Sequence, residues 1–196
     1  QMAAMAVWDF DSWMALSARH VELARALGAL VPLSIALNGR GSMATHCGDF
    51  ETATSLAAEK DVVNEVTGIR LATTCDLLLA GYRGRPAEAV PLFTATMEDS
   101  TARGEGLAVQ MANWAAAVLH NGLGRYAEAL AVAEPATEET YSPLSTQLVL
   151  PELIEAAVRT GRADLAREAL GRLSAMTVEG SDWAKGLEAR SRALVS

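Results

Sequence analysis

The residues whose spacing most resembles a chemical motif are glycines. The stretch "GLGRYAEAL", Gly122 to Leu130, contains G-x-G-x-x-A, the spacing of a dinucleotide-binding turn, and "GRGSMA", Gly39 to Ala44, repeats it. That chemistry needs a strand before the first glycine and a helix whose N-terminus receives the pyrophosphate. The residues before them, "MANWAAAVLHN" and "PLSIALN", read as helix, so nucleotide binding is not expected. His20, His46 and His120 lie far apart, each on a predicted helix without a second ligand at i+4, and no metal site is expected. Cys47 and Cys75 lack CxxC spacing and read as small buried thiols rather than zinc ligands or a disulfide. Ser42, Ser55 and the cysteines have neither a nucleophile elbow nor triad partners, so the expectation is a non-enzyme without cofactor.

Charge narrows the partners. The net charge of −8 provides no basic footprint for nucleic acid, whose binding rests on Lys and Arg neutralising phosphates. Cations do gather near the end of the chain (Arg159, Arg162, Arg167, Arg172, Lys185, Arg190, Arg192), but Glu155, Asp164, Glu168, Glu179 and Glu188 are interleaved with them, as on a solvated helical face. No run approaches the roughly 18 apolar residues of a membrane span, and "QMAAMAVWDF" lacks the regions of a signal peptide. A cytoplasmic chain without membrane partners is expected, and its opening on Gln suggests a piece of something longer.

The glycines have a structural use instead. "GDFETATSLAAEK" from Gly48, "GRPAEAVPLFTAT" from Gly84, "GRYAEALAVAEPA" from Gly124 and "GRADLAREALGRL" from Gly161 are copies of one motif, spaced by 36, 40 and 37 residues. Periods of this size signal stacked helical hairpins. Gly supplies the left-handed residue that ends one helix, and the next two or three residues start another. Pro86 suits a first helical turn, and Phe50 and Tyr126 at the same position suit the elbow of the hairpin. Ala53, Ala89, Ala129 and Ala166, five residues past each glycine, are small enough to let two backbones approach.

An apolar-periodic stretch precedes each glycine, and alanine makes up about a fifth of the chain, both favouring helix. The pattern predicts an all-α single domain over 1–196, about ten helices, with a half repeat at either end. The first helix is expected after an Asp11 or Ser12 cap, and the last after Ser181 or Asp182. Pro91, Pro135 and Pro151 are expected to kink or delay their helices. The longest irregular link is expected over Thr137–Ser145, and Glu98-Asp99 and Glu138-Glu139 at solvated helix ends. "VPLSIAL" and "LSTQLVLP" are the only strand candidates and fit the helical repeat better.

The pattern G-[DR]-[FYPA]-x-x-A, with Gly41 and Phe93 matching in single copies, resembles a degenerate tetratricopeptide repeat, which implies a right-handed superhelical solenoid of antiparallel hairpins. A narrower resemblance lies in "WMALSARHVELARALGAL", "TARGEGLAVQMANWAAAVLHNGLGRYAEALAVAE", "PELIEAAVRTGRADLAREAL" and "GSDWAKGLEARSRALVS". These look like the central region of bacterial LuxR-type large ATP-binding transcriptional regulators. The P-loop and helix-turn-helix that flank such a region are not in this sequence, so the resemblance implies a sensor or scaffold segment.

Such an array has a concave surface lined by the first helix of each pair. Counting back from each turn glycine places Asn38, His46, Tyr82, Trp114, Asn121, Glu155 and Arg159 there, a mixed aromatic and polar lining. The expectation is a groove for a peptide, protein or small-molecule effector, with Trp114 and Tyr82 as apolar platforms. The competing expectations are that Trp114 and Tyr82 fill the core, and that the chain is a self-assembly module whose end helices pair as a homodimer.

Overall fold

The computed structural model describes residues 2–68, 74–138, 143–177 and 181–196, which form eleven helices with no strand among them. They are α1 (Met2–Ala6), α2 (Phe10–Ala26), α3 (Leu30–His46), α4 (Phe50–Thr67), α5 (Thr74–Arg83), α6 (Pro86–Ala102), α7 (Gly106–Gly122), α8 (Tyr126–Ala136), α9 (Pro143–Arg159), α10 (Ala163–Met176) and α11 (Asp182–Val195). The chain is all-α in the described residues, and both strand candidates are helical. Among those residues no helix is long and apolar enough to cross a membrane.

The turns follow from the motif. Gly48, Gly84, Gly124 and Gly161 have φ of 75°, 67°, 70° and 77°, the left-handed region that only Gly enters cheaply. At Gly48 its N–H reaches Thr45 O at 3.0 Å and the Asp49 N–H reaches Ala44 O at 2.9 Å, which satisfies carbonyls at the end of α3. Ala53, Ala89, Ala129 and Ala166 have no exposed surface, as close helix approach requires. Pro86 opens α6.

Several details depart from the expectation. There are eleven helices rather than about ten, because α1 precedes the helix expected to come first. Asp9, not Asp11 or Ser12, caps α2 by accepting from the Ser12 N–H at 3.0 Å. At the other end Ser181 is the cap of α11. Helices α6 and α9 run on through Pro91 and Pro151, and Pro135 falls in the last turn of α8. Cys47 is exposed whereas Cys75 is buried, since Cys47 directly precedes the turn glycine on the outside of a hairpin. Of the Thr137–Ser145 link, and of Glu138-Glu139, residues 139–142 lie outside those described. Glu98 and Asp99 are exposed, as expected.

Packing follows chain order. Each helix from α2 to α11 packs on the next, and the odd-numbered helices α3, α5, α7, α9 and α11 pack each on the following one. Small residues allow the closest of these approaches. A Cβ built on Gly41 of α3 would lie 2.4 Å from Cys75 Sγ on α5, and one on Gly81 of α5 would lie 2.7 Å from the Ala115 carbonyl oxygen on α7. Helix α7 is buried nearly all round and forms, with α9, the middle of the largest core cluster. One contact breaks the order: α1 packs on α9, bringing the start of the chain against its later helices.

Candidate functional site

That out-of-order contact completes a cavity. It measures about 270 Å³ and is lined by Trp8, Phe10, His46, Tyr82, Trp114, Leu148, Pro151, Glu152, Trp183 and Leu187. Every odd-numbered helix from α3 to α11 contributes, Trp8 comes from the turn between α1 and α2, and Phe10 opens α2. Half of the ten Trp, Tyr and Phe residues in the chain meet here.

The rings are tightly organised. Trp183 is the hub, with ring centroids 4.7 Å from Trp8, 5.8 Å from Phe10 and 6.0 Å from Trp13, the last pair nearly parallel. His46 lies within 5.4 to 5.7 Å of Trp13, Tyr82, Trp114 and Trp183. Most of these pairs meet edge to face, where the positive edge of one ring meets the negative face of another and adds to burial, while Trp13–Trp183 and His46–Trp114 stack. Surrounded in this way, the imidazole is desolvated and its pKa falls to about 4, so it is neutral near pH 7. Its Nδ1 is 3.5 Å from the Tyr82 hydroxyl, and its buried Nε2 has no hydrogen-bond partner among the described residues.

Glu152 brings the opposite character. Burial raises its carboxyl pKa, while the Asn121 amide donates to Glu152 Oε2 at 2.8 Å and to its backbone oxygen at 3.0 Å. Desolvation, with the Glu152 charge next in importance, pushes the Tyr82 phenol up to about 12. Among the described residues no Lys or Arg lines the cavity, and Glu152 is the one carboxyl group in its wall.

Trp8 occupies an unusual backbone position. Its φ is 55°, the single positive value outside Gly among the described residues, and the Asp9 N–H reaches Ala4 O at 2.9 Å. This is the turn that Gly forms elsewhere, and the left-handed turn positions recur at intervals of 20 residues (8, 28, 48, 68 and again 84, 104, 124). A bulky residue there costs about 1–3 kcal/mol of backbone strain. The indole is 4 % exposed and packs on Trp183, and the Trp8 carbonyl accepts from Ser181 Oγ. Packing across the two ends of the chain thus holds a strained residue in the cavity wall. No protein family, curated protein or solved structure matches this chain.

The seven residues singled out from the sequence separate into two groups. His46, Tyr82 and Trp114 share the cavity, with Trp114 also part of the buried core at 2 % exposure, and Asn121 reaches it through Glu152. The other three have local work. Asn38 Oδ1 accepts from the Cys75 N–H at 3.0 Å, tying α3 to α5. Glu155 accepts from Arg190, and the Arg159 guanidinium lies 5.6 Å above the Tyr126 ring. Counting from the turns did not find Trp8, Phe10, Glu152 or Trp183. The one available signal was Trp8 itself, standing where a 20-residue glycine interval predicts Gly.

The dinucleotide-like glycines sit where packing needs them. Gly122 ends α7 and Gly124 makes its turn, while Gly39 to Ala44 lie within α3. Five of the seven late cations pair with acids, as Arg167 does with Asp164 at 2.6 Å and Lys185 with Asp182 at 3.6 Å, while Arg172 donates to the Thr137 carbonyl and Arg159 lies over Tyr126.

Proposed function

We propose that this chain is a non-enzymatic, ligand-binding helical-repeat domain of tetratricopeptide type, a right-handed superhelical solenoid, and that it serves as the sensor segment of a LuxR-like transcriptional regulator. The alternating packing of odd- and even-numbered helices and the recurring glycine turns support the repeat reading. The observation that carries the binding reading is the convergence on a single cavity of five aromatic residues, from the α1–α2 turn, α2, α5, α7 and α11, with His46 of α3 and the half-buried Glu152 of α9. Small-molecule sites are mostly apolar and aromatic with a few placed polar groups, and this lining has that composition. A strained Trp8 in the wall fits a site whose shape is maintained at a cost to stability.

Thermal unfolding of the chain against a metabolite library tests the reading, with tryptophan fluorescence as a second readout. Tyr82 is the suitable wall residue to remove, since it is 41 % exposed whereas Trp114 is 2 % exposed. A ligand should raise the melting temperature and lose that effect in Tyr82→Ala. A shift that survives this change and Glu152→Gln together would place the ligand elsewhere. In the regulator reading, the gene should carry P-loop and helix-turn-helix segments in frame with this one, and their absence would remove it.

A second reading, self-assembly, is favoured by exposed apolar side chains on α2 to α4. Leu27 is 78 % exposed, Val66 71 % and Val62 61 %, with Leu30, Val31 and Ile35 also exposed. The short contact between Ser34 and Asn64 shows that the start of α3 faces the end of α4, so these residues lie at one edge. Dimers by light scattering that dissociate in Leu27→Arg would support it, and a monomer at every concentration would remove it.

A further inference from the structure

We infer that the cavity takes an organic cation, a methylated ammonium head such as a trimethylammonium group, held by aromatic faces and the Glu152 carboxylate. The inference rests on the small-molecule reading above and names the class of ligand.

The composition of the wall carries it. Trp, Tyr and Phe rings present negative faces that attract a cation, most strongly when both are withdrawn from water. Trp8, Phe10, Tyr82, Trp114 and Trp183 supply such rings from five different segments. An alkylated ammonium is weakly hydrated and apolar at its surface, so it loses little on entering an apolar wall and gains from every ring.

The charges in the wall point the same way. Among the described residues Glu152 is the one carboxyl group in the lining, and no Lys or Arg stands beside it there. The cation whose charge acts on it, Arg190, is already paired with Glu155 on the neighbouring turn. His46 is held neutral by the rings around it, so it does not compete. Hydrogen-bonded on one oxygen by Asn121 and without a full counter-charge, Glu152 is pushed by burial towards its protonated form. A bound cation supplies that counter-charge. An anionic ligand would find no guanidinium or ammonium group among the described wall residues to answer its charge. At about 270 Å³ the space is at the small end of ligand sites, enough for a headgroup and little more.

Choline and its neutral isostere 3,3-dimethyl-1-butanol separate charge from shape. Titrated into the intact chain, choline should quench tryptophan fluorescence saturably, and its methyl protons should move upfield in the field of the rings. The isostere should bind at least about tenfold more weakly, and Glu152→Gln, checked for unchanged helical circular dichroism, should weaken choline by about the same factor. The inference is overturned if the isostere matches choline, or if folded Glu152→Gln binds choline as the native chain does. It is also overturned if choline gives no response while a neutral or anionic ligand does, and in that case the small-molecule reading stands. Silence towards both probes and a broad metabolite library overturns that reading as well.

Discussion

Placing a neutral imidazole among four aromatic rings makes the fold acid-sensitive over a defined range. Burial holds His46 at about 4, against 6.5 for a free side chain. Because the folded value is the lower one, the unfolded chain takes up the proton first. The contribution of His46 is therefore complete above 6.5, falls as the pH drops, and levels off only below 4. Between pH 7 and pH 5 the expected loss is about 2 kcal/mol, rising to about 3 kcal/mol below pH 4. Glu152 acts in the opposite sense: its raised folded value means that protonation favours the fold as pH falls. Its contribution must be separated, and His46→Phe does so while keeping a ring in the cluster. Urea unfolding followed by tryptophan fluorescence at pH 7, 6 and 5 measures both proteins. The native chain should lose about 2 kcal/mol more than His46→Phe across that range. Parallel losses would refute the reasoning, as would a proton NMR titration of His46 with a midpoint near 6.5.

Two further expectations concern buried groups outside the cavity. Lys60 is 1 % exposed and pairs with Asp76 on α5 and with the exposed Asp61 at 3.0 Å, so Asp76→Ala, which leaves only the solvent-screened Asp61 as partner, should cost about 2 kcal/mol by urea unfolding. The double change Lys60→Met with Asp76→Leu should recover most of that, because no buried charge is then left unpaired. Burial pushes the Cys75 thiol up to about 12, while Cys47 is exposed, so a thiol reagent at pH 8 should label one cysteine in the native chain and both in urea. Labelling of Cys75 under native conditions would contradict the α3–α5 packing.

The hairpins were legible because their causes are local. A left-handed glycine, an alanine five residues later and an apolar helical period act within one turn and the helix beside it, and Gly84, Pro86 and Ala89 stand as that rule requires. Helix α1 was missed for the same reason, since its terminating residue is Trp8 and the local rule looks for Gly. The prolines show local propensity overridden: α9 continues past Pro151, which is buried among its neighbours, because the surrounding contacts outweigh one lost hydrogen bond. Turn counting named His46 and Tyr82, each two residues before a turn glycine, and Trp114, ten before Gly124, and the cavity brings these three together. Asn38, Glu155 and Arg159 instead meet Cys75, Arg190 and Tyr126 on other helices.

The sequence by itself determined an all-helical chain of glycine-turned hairpins, because each such choice is made within about 20 residues by backbone φ, side-chain size and apolar period. The tertiary structure alone decided that Trp8 meets Trp183 and that the Trp8 carbonyl receives Ser181. Those residues come from opposite ends of the chain, and their meeting depends on the angle each hairpin makes with the next. That angle is fixed by contacts such as Gly41 on Cys75 and Gly81 on Ala115, where the clearance is smaller than a methyl group and no sequence period records the direction. The aromatic cavity with Glu152 in its wall exists only once those packings have been added together.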